Sequence, residues 1–353
     1  MKVLMLSDFF LSGQTTHVLE LARQLTRLDV EVHIAFGTIH SRLFYSHYSP
    51  ILSASNVSHS QGGDLNYLHS TTKNWRPDII HCQSSTLFKH TQNLSLRLGV
   101  PYILTCHGLG FQHPKYRPQF KLASAIVAIG PRVALELQDY MEKVTIIPNG
   151  IDTEHFVPHP ESPSRRKKVI YMGRLEERRI RTLKQLALAH ANITNLPLTI
   201  ISDWNPNLPG TSFVPWQVDP VPHLQRAGIV VGCGRTAREA LSCGNAVLLM
   251  QQSYDGVISP QLVACPDFDF SGNLGRFPLT TLEGDLRRIL RSNFRLKKLQ
   301  SWGRNYAVTY LSSNDMAKKT LLLYKEVQGL SGSLARRSTK PLCSLANLAA
   351  QKR

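Results

Sequence analysis

The sequence lacks the features that mark membrane-spanning, disulfide-linked and metal-dependent proteins. No apolar run approaches the roughly 20 residues that a helix needs to cross a bilayer. The six cysteines are scattered and form no CxxC pair, so neither a metal-binding motif nor a redox motif is indicated. With 42% hydrophobic and only 18% charged residues, the 353-residue chain does not have the composition of a disordered protein. The sequence therefore predicts a globular protein with reduced cysteines, long enough for about two domains.

Acidic residues are also scarce, and the resulting basic excess is unevenly distributed. There are 41 Lys and Arg against 24 Asp and Glu, which gives a formal net charge of +17. Such an excess is typical of proteins that bind nucleic acid, an anionic membrane or an anionic small molecule. Residues 1–152 carry a net charge of only +3, whereas residues 153–353 carry +14. Because the basic stretches have no interleaved aromatic residues, we expect an anionic small ligand in the second half and no nucleic-acid partner.

The first residues predict a strand and not a targeting segment. The apolar run that follows Met1 ends at Ser7 and Asp8, which is shorter than the apolar region of a secretory signal. We therefore expect a cytoplasmic protein, and peripheral contact with the inner face of the membrane remains open.

Short Val- and Ile-rich runs alternate with amphipathic stretches in two successive series. Continuous apolar runs of this length are typical of parallel strands that are covered on both faces. The predicted strands are Val3–Ser7, Val30–Phe36, Asp78–Cys82, Pro101–Cys106, Ala125–Ile129 and Val144–Pro148 in the first series, and Val169–Met172, Pro197–Ser202, Gly228–Val231 and Ala246–Met250 in the second. The segment 37–74 has no clear pattern, and no element is predicted there.

The two series predict an α/β protein with two Rossmann-like, doubly wound parallel-sheet domains that face each other across a cleft. We expect an N-terminal domain over 1–152, a C-terminal domain over 153–328 and a basic flexible tail over 329–353. The last helix before the tail either stays with the C-terminal domain or returns to the first one.

Ligands of open parallel sheets bind beyond the carboxyl ends of the strands, so the residues that follow each strand are the candidates. Gly13 lies after the first strand and before a helix, where backbone N–H groups can approach an anion, although an ordinary turn explains it equally well. His107 follows the fourth strand and is able to form hydrogen bonds or exchange protons near neutral pH. A purely structural histidine is the alternative there.

Two segments of the second half carry cations directly after a strand and before a helix. Arg174 and Arg179 lie in the first, where a guanidinium can bind phosphate oxygens with two parallel hydrogen bonds. In the second, Gly234 allows close backbone approach, Arg235 adds charge and Thr236 is a candidate helix cap. A solvated basic helix start is the alternative. However, cations at a helix N-terminus oppose the helix dipole, so a bound anion would relieve the arrangement.

Glu239 lies further along the helix that begins near Thr236. A carboxylate repels phosphate, but it suits a pair of vicinal hydroxyl groups such as those of a ribose. The alternative is a carboxylate that is favoured near the start of the helix by the dipole.

Several of these segments resemble motifs of the family-4 retaining glycosyltransferases. Ile147-Pro-Asn-Gly-Ile-Asp152 resembles the interdomain signature of that family, and Thr105-Cys-His-Gly108 resembles its acceptor-side strand end. Gly173-Arg-Leu175 and the stretch that begins Arg235-Thr-Ala-Arg-Glu239 resemble its two donor-binding motifs. The resemblance runs in order over about residues 1–325.

The resemblance implies a GT-B fold that transfers a sugar with retention of anomeric configuration and needs no bound metal or other cofactor. The nucleotide-diphosphate sugar donor would bind the second domain, and a glycan or lipid-linked acceptor the first, in synthesis of a cell-envelope glycan, exopolysaccharide or glycolipid. His107 would be catalytic, in contact with the sugar near the reacting carbon, and Glu239 would bind the donor ribose. The donor diphosphate would be bound by Gly13, Arg174, Arg179, Gly234, Arg235 and Thr236.

One position departs from the family pattern. The family's Glu-x7-Glu motif would place its first Glu at position 231, which is Val231 in this chain. One alternative is therefore a degenerate homologue that binds a nucleotide sugar without transferring it. Another is a sugar-nucleotide epimerase of the same fold, although such enzymes lack the interdomain signature.

Overall fold

The computed structural model describes residues 1–10, 12–61, 75–159 and 168–332 of the chain. They form two compact units, one of Met1–Gly150 with the C-terminal segment that begins at Ser313, and one of Ile151–Ser312. Each unit is built on a sheet with its own hydrophobic core. The predicted α/β class with two parallel-sheet domains is therefore confirmed.

The first unit contains, in its described part, a sheet of seven parallel strands. The strands are β1 (Lys2–Phe9), β2 (Glu31–Ile39), β3 (Ser58–Gln61), β4 (Ile79–Cys82), β5 (Tyr102–Cys106), β6 (Ala125–Ala128) and β7 (Val144–Ile146). Their order in the sheet is β3-β2-β1-β4-β5-β6-β7. The order reverses between β1 and β4, which makes this the switch point of the sheet, where ligands of such folds bind.

Both faces of this sheet are apolar, which explains the continuous hydrophobic runs. Val3 and Met5 of β1 belong to one buried cluster, and Leu4 and Leu6 to another. The α-helices before the second unit are α1 (Gly13–Thr26), α2 (Ser49–Ala54), α3 (Phe88–Leu98), α4 (Arg117–Leu122) and α5 (Pro131–Leu135). Shorter 3-10 or π segments are Phe44–Tyr48, Ser85–Leu87, Pro114–Tyr116 and Gln138–Lys143.

The second unit has a sheet of six strands in its described part. The strands are β8 (Val169–Met172), β9 (Leu198–Ser202), β10 (Thr211–Pro215), β11 (Ile229–Gly232), β12 (Ala246–Met250) and β13 (Tyr254–Val257). The helices are α6 (Glu177–Ala191), α7 (Val221–Leu224), α8 (Gly234–Ser242), α9 (Pro260–Val263), α10 (Thr281–Arg291) and α11 (Asn293–Tyr310). The sheet order is β10-β9-β8-β11-β12-β13, so the switch point lies between β8 and β11.

The last helix, α12 (Ser313–Gly332), belongs to the first unit. Its buried residues Met316, Ala317 and Tyr324 complete the apolar cluster that also contains the inner face of α1. The second unit thus ends at Ser312, whereas the sequence placed the C-terminal domain over 153–328. An amphipathic pattern shows that a helix has an apolar face but not which sheet that face covers.

Helix α12 also continues to residue 332, so the first residues of the predicted tail are helical. The remainder of the tail, 333–353, lies outside the described residues. Within the described ranges, no helix is both long enough and apolar enough to span a bilayer.

Three strands were not predicted from the sequence. β3 has the polar sequence Ser-His-Ser-Gln and pairs with β2 alone at the sheet edge, so it needs no apolar run. β10 is likewise an edge strand, in the second sheet, and its residues are mostly half-buried. β13 runs antiparallel to β12, and Gly256 within it has a φ of +100° beneath the Phe277 ring.

Candidate functional site

The loops after β8 and β11 lie side by side at the switch point of the second sheet. Gly232 ends β11, and a Cβ there would come within 2.9 Å of the Met172 carbonyl oxygen and 2.8 Å of Thr236 Cγ2. Only glycine therefore allows the start of α8 to approach the end of β8 so closely. The two basic segments singled out in the sequence are brought together by this contact.

The start of α8 leaves backbone donors without a partner. Cys233 is the N-cap residue and its side chain makes no capping bond, so Thr236 lies inside the first turn and does not cap the helix. The Gly234 N–H is already bonded, since it donates to the Phe270 carbonyl at 2.6 Å. Among the described residues, the N–H groups of Arg235 and Thr236 have no acceptor. With the positive end of the helix dipole, they form a site suited to an anion.

Arg179 supports the loop that carries Arg174. The Arg179 side chain is only 13% exposed, and it donates to the Arg174 carbonyl oxygen at 3.0 Å and to Glu176 Oε1 at 3.3 Å. Burial raises the pKa of the nearby Cys233 thiol to about 11, and the positive charge of Arg179 acts against that rise. Arg174 is exposed, and its guanidinium has no partner among the described residues. Arg174 thus carries a guanidinium without a described partner in the loop that follows β8, the strand whose end approaches the start of α8.

Glu239 and Arg235 form an ion pair on one face of α8. Arg235 Nε lies 2.6 Å from Glu239 Oε1, and the carboxylate is almost completely buried. Burial raises the pKa of Glu239, while the charge and hydrogen bond of Arg235 act against that rise. No described residue hydrogen-bonds Glu239 Oε2, so one carboxylate oxygen is left for a hydroxyl donor.

Val231 departs from the family pattern for a structural reason. It is fully buried within β11, where it pairs with Tyr171 of β8 and Leu248 of β12. A single residue, Cys233, separates β11 from α8. The connection is therefore too short to present a carboxylate from the loop, and position 231 cannot do so from inside the sheet.

In the first unit, His107 lies directly beyond β5 in a polar pocket. Its Nε2 is 2.8 Å from Gln83 Oε1, and its ring packs edge-to-face on His17 with the ring centres 4.8 Å apart. Burial lowers the pKa of His107 to about 3, so the imidazole is neutral at physiological pH. Its Nδ1 is buried and has no hydrogen-bond partner in the described part of the chain.

Gly13 is the exposed first residue of α1, following the N-cap residue Ser12. The next residue, Gln14, donates from its side chain to the Gln83 carbonyl at 2.7 Å and to Ser84 Oγ at 2.9 Å. The start of α1 is therefore tied to the loop after β4, at the switch point of the first sheet. The sequence interpretation missed Gln14 and Gln83, although Gln83 directly follows a predicted strand and satisfies the rule that identified His107.

The candidates thus form two groups, one in each unit. The group around the β8–β11 switch point of the second sheet consists of Arg174, Arg179, Gly234, Arg235, Thr236 and Glu239. The group near the β1–β4 switch point of the first sheet consists of Gly13 and His107, which are linked through Gln14 and Gln83. No group of three or more potential His, Cys, Asp or Glu ligands could hold a metal ion within the ranges that the structure describes.

Sequence comparison identifies the first unit. Residues 11–155 match the family described as Glycosyltransferase Family 4. The similarity to this family therefore covers most of the N-terminal unit. No curated protein is significantly similar to the chain in sequence.

Solved structures share the fold over both units of the chain. A glycosyltransferase from Rickettsia africae ESF-5 is 16% identical, with a TM-score of 0.72 over 94% of this chain and 99% of that one. HepE from Anabaena, solved with UDP and glucose, is 12% identical, with a TM-score of 0.67 over 92% and 100%. A mutant TarM from S. aureus, solved with fondaparinux, α-GlcNAc-glycerol and UDP, is 10% identical, with a TM-score of 0.68 over 92% and 100%. The predicted GT-B fold is therefore confirmed.

Proposed function

We propose that the protein transfers a sugar from a nucleotide-diphosphate sugar to an acceptor hydroxyl with retention of anomeric configuration. The observations that carry this proposal are two adjoining loops, one with the exposed guanidinium of Arg174 after β8 and one with the Arg235 and Thr236 N–H groups at the start of α8, for which the described residues supply no partner. A diphosphate presents negative oxygens that suit both kinds of donor. A Family 4 domain in the same chain supports a transferase over other users of such an anion site.

The charges of the second unit favour departure of the diphosphate. In the transfer, the bond between the anomeric carbon and the diphosphate oxygen breaks while the acceptor oxygen bonds to that carbon. The acceptor proton passes to the leaving diphosphate on the same face of the sugar, which retains the configuration. Arg174, braced by Arg179, and the positive end of α8 stabilise the charge that grows on the leaving group.

The remaining contacts to the nucleotide-sugar donor are assigned from protein groups that have no partner among the described residues or that lie at a helix start. Glu239 Oε2 accepts from a ribose hydroxyl, while Arg235 opposes the rise in the Glu239 pKa that burial causes and contributes charge near the phosphates. His107 contacts the sugar near the reacting carbon, and Gly13 approaches the phosphates with its backbone. Gly234 contributes space and not its N–H group, because that group already donates to Phe270.

UDP-hexoses are the first donors to test, since the HepE and TarM structures were solved with UDP. A glycan or lipid-linked acceptor in cell-envelope, exopolysaccharide or glycolipid synthesis fits a Family 4 domain. Such an acceptor is compatible with a cytoplasmic protein that contacts the inner face of the membrane. No metal ion or other cofactor takes part in the proposed transfer.

The test is to incubate the protein with a panel of UDP-hexoses and glycan or glycolipid acceptors. We expect acceptor-dependent release of UDP and a product whose anomeric configuration, read by NMR, equals that of the donor. A product of inverted configuration would contradict retention, and an epimerised nucleotide sugar without transfer would contradict the transferase itself.

A second candidate is a protein that binds a nucleotide sugar without transferring it. The short β11–α8 connection favours this candidate, since it leaves no place for the first carboxylate of the family motif. Calorimetric binding of a UDP-hexose with no turnover across the acceptor panel would support it over the transferase.

A further inference from the structure

A buried polar chain connects the C-terminal helix with His107. The Tyr324 hydroxyl of α12 lies 2.6 Å from Nδ1 of His81, and His81 Nε2 lies 2.7 Å from Thr105 Oγ1. All three side chains are almost completely inaccessible to solvent. Burial is the larger cause, and the neighbouring His107 the smaller one, that lowers the pKa of His81 to about 3. His81 is therefore a neutral ring held at both nitrogens by hydroxyl groups, which is a rigid arrangement.

Gln83 lies between His81 and His107. Its Nε2 is 3.2 Å and 3.3 Å from the two ring nitrogens of His81, and its Oε1 is 2.8 Å from His107 Nε2. The Gln83 backbone is also held, because its N–H donates to the Leu6 carbonyl at 2.8 Å and its own carbonyl accepts from Gln14. The Gln83 side-chain amide thus contacts His81 through its nitrogen and His107 through its oxygen.

This contact determines which nitrogen of His107 carries the proton. An amide oxygen can only accept a hydrogen bond, so His107 Nε2 must be the donor. In a neutral imidazole the other nitrogen, Nδ1, is then an acceptor. That Nδ1 is buried and has no partner among the described residues. Because an unpartnered buried acceptor is costly, the arrangement favours a ligand that supplies a hydroxyl or N–H donor.

We propose that Gln83 is the positioning residue of His107. Supported by His81 and Tyr324, it holds His107 as the Nε2–H tautomer and thereby keeps Nδ1 as an acceptor for a hydroxyl group of the bound sugar. The identity of that ligand rests on the proposed function, whereas the tautomer does not. The C-terminal helix contributes to the site by fixing the His81 ring from behind.

The tautomer can be observed directly in the full-length protein labelled with ¹⁵N-histidine. Long-range ¹H–¹⁵N spectra distinguish Nε2–H from Nδ1–H rings, and a His107→Gln spectrum assigns the signals. We expect His107 to be the Nε2–H tautomer in the wild type and in Gln83→Glu, which keeps an acceptor oxygen. Gln83→Leu is expected to lose this single tautomer. An Nδ1–H ring in the wild type, or an unchanged single tautomer in Gln83→Leu, would overturn the proposal.

Tyr324→Phe extends the test to the far end of the chain, and Tyr102→Phe is its matched control. Tyr102 is also a buried tyrosine of the first unit, but its hydroxyl donates to the Gln119 carbonyl, away from His81. With an active donor and acceptor pair, Gln83→Leu should lower kcat about tenfold and Tyr324→Phe should lower it less, with little change in the KM of the donor. Equal kinetics of Tyr324→Phe and Tyr102→Phe would contradict the part assigned to α12.

The two proposals fail separately. A fixed Nε2–H tautomer in a protein that turns over no nucleotide sugar would leave the role of Gln83 intact and refute the transferase. Sugar transfer by a protein in which His107 is the Nδ1–H tautomer would do the reverse.

Discussion

At the scale of single residues, Glu239 is the side chain whose surroundings most constrain its role. It is buried, its Oε1 is paired with Arg235 at 2.6 Å, and only Oε2 remains open to a ligand. We expect Glu239→Ala to abolish measurable transfer, because it removes the proposed ribose acceptor and leaves Arg235 without its partner. A hydrogen bond to a charged group is worth about 1.5–3 kcal/mol, so the affinity for UDP should fall at least about tenfold.

The control for Glu239 is Glu283, a partly exposed glutamate that also forms an i,i+4 ion pair with an arginine, Arg287 on α10. Glu283→Ala should leave transfer unchanged, and circular dichroism should show both variants folded. Wild-type turnover by Glu239→Ala would remove it from the site.

His81 and His107 make the stability of the protein depend on pH. Burial lowers the pKa of each to about 3, whereas an unfolded histidine has a pKa near 6.5. As the pH falls through that window, the unfolded state binds protons that the folded state excludes. The stabilisation is therefore complete above about pH 6.5 and is lost progressively toward pH 3, by about 1.4 kcal/mol per pH unit for each ring.

Urea unfolding at pH 4, 5 and 6 measures this dependence. His107→Gln should reduce the slope of unfolding free energy against pH by about 1.4 kcal/mol per unit. An unchanged slope would mean that His107 is protonated in the folded state.

At the scale of elements, α12 is held to the first unit by its apolar face. Leu323 is 6% exposed within the first core cluster, whereas its neighbour Leu322 is 60% exposed. Leu323→Ala should lower the free energy of unfolding by about 2–5 kcal/mol. Leu322→Ala should change it by about 0.5 kcal/mol or less, and chemical denaturation of the two variants gives the comparison. Equal effects would contradict the docking of α12 described here.

The approach of α8 to β8 depends on Gly232. In Gly232→Ala the new methyl group would lie within 3 Å of the Met172 carbonyl, so the two strand ends must separate. We expect weaker UDP binding and a lower melting temperature. Gly284→Ala is the control, because nothing lies within 4 Å of its Cβ position in α10 and alanine favours a helix. Gly232→Ala with wild-type affinity would show that the close approach is not needed.

The sequence predicted elements best where burial on both faces imposes continuous apolar runs. β8 and β12 were predicted with the bounds that the structure has, whereas the polar edge strand β3 was missed. The rule that ligands bind beyond strand ends led to Arg174 and His107. It could not show that the Gly234 N–H donates to the Phe270 carbonyl or that His107 Nε2 contacts Gln83 Oε1. Both contacts join segments that are far apart in sequence.

At the scale of the whole molecule, the basic excess acquires a specific interpretation. The net charge of +17 belongs mainly to residues 153–353, which include the β8–β11 switch point. Arg178 and Arg179 of α6 and Arg287 and Arg288 of α10 are paired with nearby carboxylates, so the total charge does not define the proposed site. What distinguishes that site is Arg174, whose guanidinium has no described partner, in the loop next to helix N–H groups that no described residue accepts.

The most direct test of this account is calorimetric titration of UDP into the wild type, Arg174→Ala and Arg178→Ala. Arg178 is the matched control, since it is 75% exposed, lies four residues away and contacts only Glu176 among the described carboxylates. We expect UDP to bind the wild type and Arg178→Ala with similar affinity, and Arg174→Ala to bind at least about tenfold more weakly. Equal affinity of Arg174→Ala and the wild type for UDP, or no binding of UDP to any of the three proteins, would contradict it.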